Sequence, residues 1–213
     1  MIQKLKHKFG TDFSGFVMGK LRSYRLSGLR MYSSLLARAI LRLKGVKLSS
    51  KVSFYGLPYV KRNFNSSISI GTGCTFRSDR TSNLIGLNRT CLISTFNEGT
   101  TICIGENSGF SGTVIGAAES ITIGNNVLSG ANVLITDFDW HPIDPTLRHT
   151  SEGVLSAPIV IGDNVWLGIN TVVLKGVTIG ENSVIGANSL VVKDIPANVI
   201  AGGNPCKVIK PLT

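Results

Sequence analysis

Aromatic side chains are scarce in this chain, 7% of 213 residues, and acidic ones are few: twelve Asp and Glu stand against 22 Lys and Arg, for a net charge of +10. So few aromatics argue against a broad aromatic-filled core and suit narrow coils that admit aliphatic and small side chains. The four cysteines, Cys74, Cys91, Cys103 and Cys206, show neither CxxC nor metal-ligand spacing. That excludes a disulfide-stapled secreted scaffold and fits reduced thiols in the cytoplasm. No Gly-rich phosphate loop is present, so nucleotide-triphosphate chemistry has no support. No apolar run follows the charged start, and no cleaved signal peptide is expected. Nor does any stretch approach the roughly 18 uninterrupted apolar residues of a spanning helix.

What the chain does have is a repeat. From Ile161 to Ile195 it runs IGDNVW, LGINTV, VLKGVT, IGENSV, IGANSL and VVKDIP. The blocks open on Ile161, Leu167, Val173, Ile179, Ile185 and Val191, all aliphatic. Their fourth positions are Asn164, Asn170, Gly176, Asn182, Asn188 and Asp194, residue types that tolerate positive φ, so each block can hold a sharp corner. A short strand and a corner at fixed period predict a β-solenoid. Upstream the period is broken. Ile70-Gly71 and Ile104-Gly105 open blocks, residues 76–100 follow it poorly, Ile115-Gly116 is out of phase, and Ile123-Gly124 resumes it through Ile135.

The charge is uneven. Residues 1–51 hold twelve Lys or Arg, among them Lys4, Lys6 and Lys8, against Asp12 alone. Leu29, Tyr32, Leu36, Ile40 and Leu43 recur there at helical spacing, with Arg30, Arg38 and Arg42 off the stripe. One reading is a helix whose apolar stripe covers the open end of the solenoid. The other is a peripheral anchor on an anionic membrane, and the two are compatible. No recognition motif accompanies the charge, which disfavours nucleic acid.

Ile135 and Ile161 are 26 apart, not a multiple of six, so a loop must leave the solenoid over about residues 136–158. It reads TDFDWHPIDPTLRHTSEGVLSAP and holds Asp137, Asp139, Trp140, His141 and His149. Long excursions from a rigid scaffold tend to carry function. The organisation expected is a basic helical segment at 1–51, a solenoid domain at 52–200, and a C-terminal tail at 201–213.

The run from Ile123 to Lys210, with NNV at Asn125–Val127, DFDWHPIDPTLR, PIVIGDNVWLG, GVTIGENSVIGANSLVVKDIP and AGGNPCKVIK, resembles the hexapeptide-repeat acyltransferases. Within them it is most similar to the galactoside and maltose O-acetyltransferases and the acetyltransferases of polysaccharide biosynthesis. The resemblance implies an all-β fold, a left-handed parallel β-helix; periodicity alone gives no hand. It also implies homotrimers with active sites between subunits, and acetyl transfer from acetyl-coenzyme A to a hydroxyl without an acyl-enzyme.

On this resemblance His141 is the general base that takes the proton of a sugar hydroxyl, a task suited to imidazole near neutral pH. Asp139 and Asp137 would orient the imidazole or hydrogen-bond the sugar, or else only shape the turn. Trp140 would face a sugar ring or pack on a coil, Arg148 matches a loop Arg of the galactoside enzymes, and His149 reads as a surface residue. Those enzymes carry an Asn one coil upstream, where this chain has Gly109-Phe110-Ser111-Gly112; Ser111 is a candidate hydroxyl in its place. On the coenzyme side the matched residues are Trp166, Gly168, Ile169, Ala187 and Val192 along the pantetheine arm and Lys193, Lys207 and Lys210 near the phosphates. No metal is expected, since a zinc site of the carbonic anhydrase kind on this fold needs three His. The function expected is an O-acetyltransferase on a sugar of surface polysaccharide, cytoplasmic, at the inner face of the membrane. N-acetylation of an amino sugar, transfer to a small hydroxyl metabolite or antibiotic, and a non-catalytic trimeric scaffold stay open.

Overall fold

The computed structural model describes residues 12–150 and 152–212; Lys4, Lys6 and Lys8 of the basic segment, and Ser151 of the loop, lie outside them. Short parallel strands stack into three sheets that enclose a triangular prism, a left-handed parallel β-helix. The first sheet holds Lys47–Leu48, Ser67–Ile70, Thr101–Ile104, Ser120–Ile123, Ile159–Ile161 and Thr178–Ile179. The second runs from Ser53–Tyr55 to Val199–Gly202 and is closed by an antiparallel strand, Lys207–Pro211. The third runs from Tyr59–Lys61 to Leu190–Val191.

The six-residue period becomes one side of the prism. Ile161 pairs with Ile179, Leu167 with Ile185 and Val173 with Val191, each 18 residues apart. These block-opening aliphatics are buried and form the core. The expectation of coils filled by aliphatic and small side chains holds only in part, because Phe54, Phe76 and Phe110 stack inside the first three coils with centroids 5.4 and 4.9 Å apart. Ile115 is out of phase only along the chain. In space it pairs with Ile93 and Ile135, because the coils there carry extra residues at their corners.

Five of the six expected corners have positive φ: Asn164, Asn170, Gly176, Asn182 and Asn188. Asp194 does not; its carboxylate instead accepts from the Thr178 N–H at 2.7 Å, and Asn198 takes the left-handed conformation beyond it. The corner side chains link from coil to coil. Asn126 donates to Asn164 at 3.1 Å, Asn164 to Asn182 at 2.9 Å and Asn182 to Asn198 at 2.8 Å.

Among the described residues one long helix, α1 (Phe13–Leu43), packs across the first coil, and the strand Lys47–Leu48 already belongs to that coil, ahead of the expected boundary at residue 52. The expected stripe is buried only in part: Leu29, Leu36 and Ile40 are half-buried, whereas Tyr32 and Leu43 point to solvent. The buried face is Ser33, Ser34, Ala37 and Leu41. The reason lies in what an end coil leaves open: unpaired backbone groups as well as apolar surface. The Phe54 N–H donates to Ser34 Oγ at 2.9 Å and the Gly56 N–H to Ser33 Oγ at 3.2 Å. Arg38 donates to the Val52 carbonyl at 2.8 Å and Lys44 to that of Val60 at 2.6 Å. A serine-rich face can satisfy an open sheet edge; a leucine face cannot.

Two segments leave the prism. The expected one spans 137–158, between Leu134–Thr136 and Ile159–Ile161. The other spans 78–91, between Thr75–Arg77 and Leu92–Thr95, where sequence showed only a poor period. They leave from different edges. The first emerges where the third sheet turns into the first, the second where the second sheet turns into the third.

Candidate active site

The excursion 137–158 is closed at its base. The Asp139 N–H donates to the Leu155 carbonyl at 2.9 Å, the Ala157 N–H to that of Asp137 at 2.9 Å, and Phe138 bridges to Ser156. Asp137 is fully buried, and its carboxylate accepts from the Ala118 N–H at 2.6 Å and the Glu119 N–H at 3.0 Å. Burial pushes its carboxyl above the usual range, and those backbone N–H groups pull it back. It therefore anchors the loop, and the expectation that it touches a sugar is corrected: no part of it is exposed.

Asp139 is also reassigned. Its Oδ1 lies 2.5 Å from Lys175 Nζ on the following coil, and no hydrogen bond joins it to His141. Its Oδ2 is buried without a partner. The atom that holds His141 is a backbone oxygen: Nδ1 lies 3.2 Å from the Arg148 carbonyl. A carbonyl can only accept, so in this contact Nδ1 carries a proton, and in the neutral ring the lone pair is then on Nε2. Arg148 thus contributes its main chain to the imidazole, and its guanidinium donates to the Ile143 carbonyl at 3.4 Å.

That cavity has a volume of about 770 Å³ and is lined by Phe96, Asn97, Ala118, Phe138, Trp140, His141, Arg148, His149, Thr150, Val154 and Ser156. His149, read as a surface residue, is exposed yet lines the same cavity. One wall is aromatic. Trp140 meets Phe96 edge-on at 5.0 Å and Phe138 at 4.9 Å, and Lys61 Nζ sits 5.1 Å from the Phe96 ring centre. Trp140 thus packs on its neighbours and remains half exposed. Phe96, Asn97 and Ala118 escaped sequence reasoning, because only the stacking of distant coils brings them beside the loop.

The residues matched to the coenzyme fall into two places. Trp166, Gly168, Ile169 and Ala187 line a mostly apolar groove of about 370 Å³ at the edge between the second and third sheets. The floor is main chain: a Cβ on Gly168 would stand 2.6 Å from the Ala187 nitrogen, so only glycine lets the coils approach there. Lys207 and Lys210 stand exposed on the closing strand of the second sheet. Val192 and Lys193 instead follow Leu190–Val191 and lie at the edge that carries His141. Ser111 ends a strand of the second sheet, on the groove side, and accepts from Asn83 Nδ2 at 3.1 Å. Within one chain it does not line the His141 cavity. Among the described residues no three His, Cys, Asp or Glu cluster as metal ligands.

Comparison with known proteins agrees with this geometry. The family described as bacterial transferase hexapeptide (six repeats) matches residues 158–193. The chain is 47% identical over 117 residues to a galactoside O-acetyltransferase of Escherichia coli, covering 54% of this chain and 56% of that one. It is 39% identical over 103 residues to a putative lipopolysaccharide biosynthesis O-acetyl transferase, WbbJ, of the same species, covering 45% and 53%. It thus spans little more than half the length of these relatives. A solved maltose O-acetyltransferase from Clostridium difficile is 30% identical over 88% of both chains, with a TM-score of 0.50.

Proposed function

Since the chain belongs to the hexapeptide-repeat transferase family, we propose that it moves an acetyl group from acetyl-coenzyme A to a sugar hydroxyl, with His141 as general base. The carrying observation is the contact between His141 Nδ1 and the Arg148 carbonyl, which frees Nε2 to take a proton. In the reaction the acceptor O–H gives its proton to Nε2 as its oxygen attacks the thioester carbonyl. The C–S bond then breaks, and the departing sulfur takes the proton from the imidazolium. Ester and free thiol are the products, and no protein nucleophile is needed. The 770 Å³ cavity beside His141 suits a saccharide larger than one ring, with Trp140 as an apolar platform and Asn97 and Arg148 as polar contacts.

The active unit in this reading is a homotrimer. His141 and the coenzyme groove lie at different edges of one prism, flanking the third sheet, so a neighbouring copy is what brings one edge against the other. The same packing brings Val192 and Lys193 of one copy to the coenzyme held by the next. The acceptor proposed is a precursor of surface polysaccharide, handled in the cytoplasm at the inner face of a membrane, with the basic N-terminal segment as the peripheral contact.

The test is thiol release from acetyl-coenzyme A across glycosides, amino sugars and lipid-linked oligosaccharides. His141→Ala should lower the rate by about 10²–10⁴-fold with an unchanged melting temperature, since the side chain is exposed. An amino sugar as the sole acceptor would replace O-acetylation by N-acetylation. Undamaged turnover in the variant would remove His141 from the chemistry.

A further inference from the structure

The excursion 78–91 has no part in the reaction as described, yet it is firmly built. Leu87 is buried beneath it. Arg89 donates to the Gly112 carbonyl at 3.2 Å and also to that of Asn132. Asn132 in turn accepts from the Asn88 N–H at 3.1 Å and donates to the Gly86 carbonyl at 3.3 Å. These bonds carry the loop up the prism edge from the second coil to the fourth, where Asn83 and Ile85 reach the groove that holds Gly130, Trp166 and Gly168. The tip is apolar and uncovered: Leu84 is 80% and Ile85 60% exposed.

The groove therefore has a closed end and an open one. Beyond its other end the chain pairs Ile185 with Ala201, and the closing strand with the exposed Lys207 and Lys210 lies next to that. Phosphates need those charges and would be desolvated without compensation against Ile85. A coenzyme in the groove thus lies with its nucleotide toward the C-terminal strand and its thioester toward the loop. We infer that the loop 78–91 is the acyl-selecting wall of this groove, with Ile85 limiting the length of the acyl chain accepted. The inference rests on the coenzyme reading above. Asn83 keeps the wall in register, because its amide donates to Ser111 Oγ at 3.1 Å and its carbonyl accepts from the Ile85 N–H at 3.2 Å.

Calorimetric titration of the full chain with coenzyme A and its acetyl, propionyl and butyryl thioesters tests this without knowledge of the acceptor. The wild type should bind the butyryl thioester about ten-fold more weakly than the acetyl one, the scale at which pockets resolve a methylene or two. Ile85→Ala should bring the acetyl and butyryl thioesters to equal affinity; Ile85→Trp should weaken the acetyl thioester too. A wild type that does not discriminate, or an unchanged ratio in a folded Ile85→Ala, overturns the wall alone. A wild type that binds neither coenzyme A nor any thioester overturns the coenzyme reading and the wall with it.

Discussion

The imidazole of His141 is held by the main chain of its own loop, so its geometry depends on how that loop is seated. The Asp139–Lys175 pair is the side-chain link that ties the loop to the next coil. Removing the cation leaves a carboxylate with one oxygen already buried and unpartnered. Lys175→Met should therefore lower turnover by about ten- to a hundred-fold through misplacement and leave the KM for acetyl-coenzyme A unchanged. The double variant with Asp139→Asn should recover part of the loss, since no charge is then stranded. Steady-state kinetics of the three proteins decide it, and a shift confined to KM would count against the clamp. A break in the six-residue period marked the loop, and the resemblance to the hexapeptide-repeat acyltransferases pointed to His141 within it. Sequence could not reveal the partner of Nδ1, since a backbone carbonyl has no letter of its own. For Asp139 the letter was legible and the partner was not: Lys175 lies 36 residues on.

At the level of elements, the solenoid was the most legible feature because its strands and corners repeat what one coil needs. The asparagine ladder adds what the period alone does not say. Asn182 combines a φ of 59° with bonds to Asn164 and Asn198. Asn182→Ala should cost about 1–2 kcal/mol from the left-handed conformation alone, read as a lower urea midpoint at unchanged m. The helix α1 was half legible. Its existence and charge followed from spacing, but the face it buries is set by the backbone groups of the first coil. The turn away from the coil leaves Leu21, Tyr24, Met31 and Leu35 outward, Tyr24, Met31 and Leu35 each at least 70% exposed, beside Lys20, Arg25 and Arg42. With that face polar, as in Leu21→Ser, Tyr24→Ser and Leu35→Ser together, the chain should no longer float with vesicles containing anionic lipid, whereas the wild type should. Equal flotation of both proteins would dismiss the membrane contact.

Considered whole, the proposed site is divided between two edges of the molecule. If a neighbour completes it, two defective chains can repair each other. Mixing His141→Ala with a chain whose groove is blocked by Ala187→Trp, after unfolding and joint refolding, should restore about a quarter of wild-type activity for equal pools that assemble at random into rings. Separately refolded chains should restore none. Activity absent from the mixture, with trimers present by light scattering, would place the complete site within one chain. The resemblance implied sites between subunits, but not which residues fall on which edge, since Val192 and Lys193 follow Ala187 by only a few positions. One side of the prism, the strand Leu190–Val191, separates them.

Both excursions begin and end at corners, and the coils on either side resume pairing as though nothing had intervened. Ile121 meets Ile159 across the loop 137–158, and Thr75 meets Gly109 across the loop 78–91. Insertions at such places leave every ladder bond of the scaffold intact, so loop length and composition are free to drift while the groove floor, made of main chain, is not. Acceptor preference at the one insertion and acyl-chain preference at the other are thus expected to diversify quickly, on a groove floor that evolution can hardly alter.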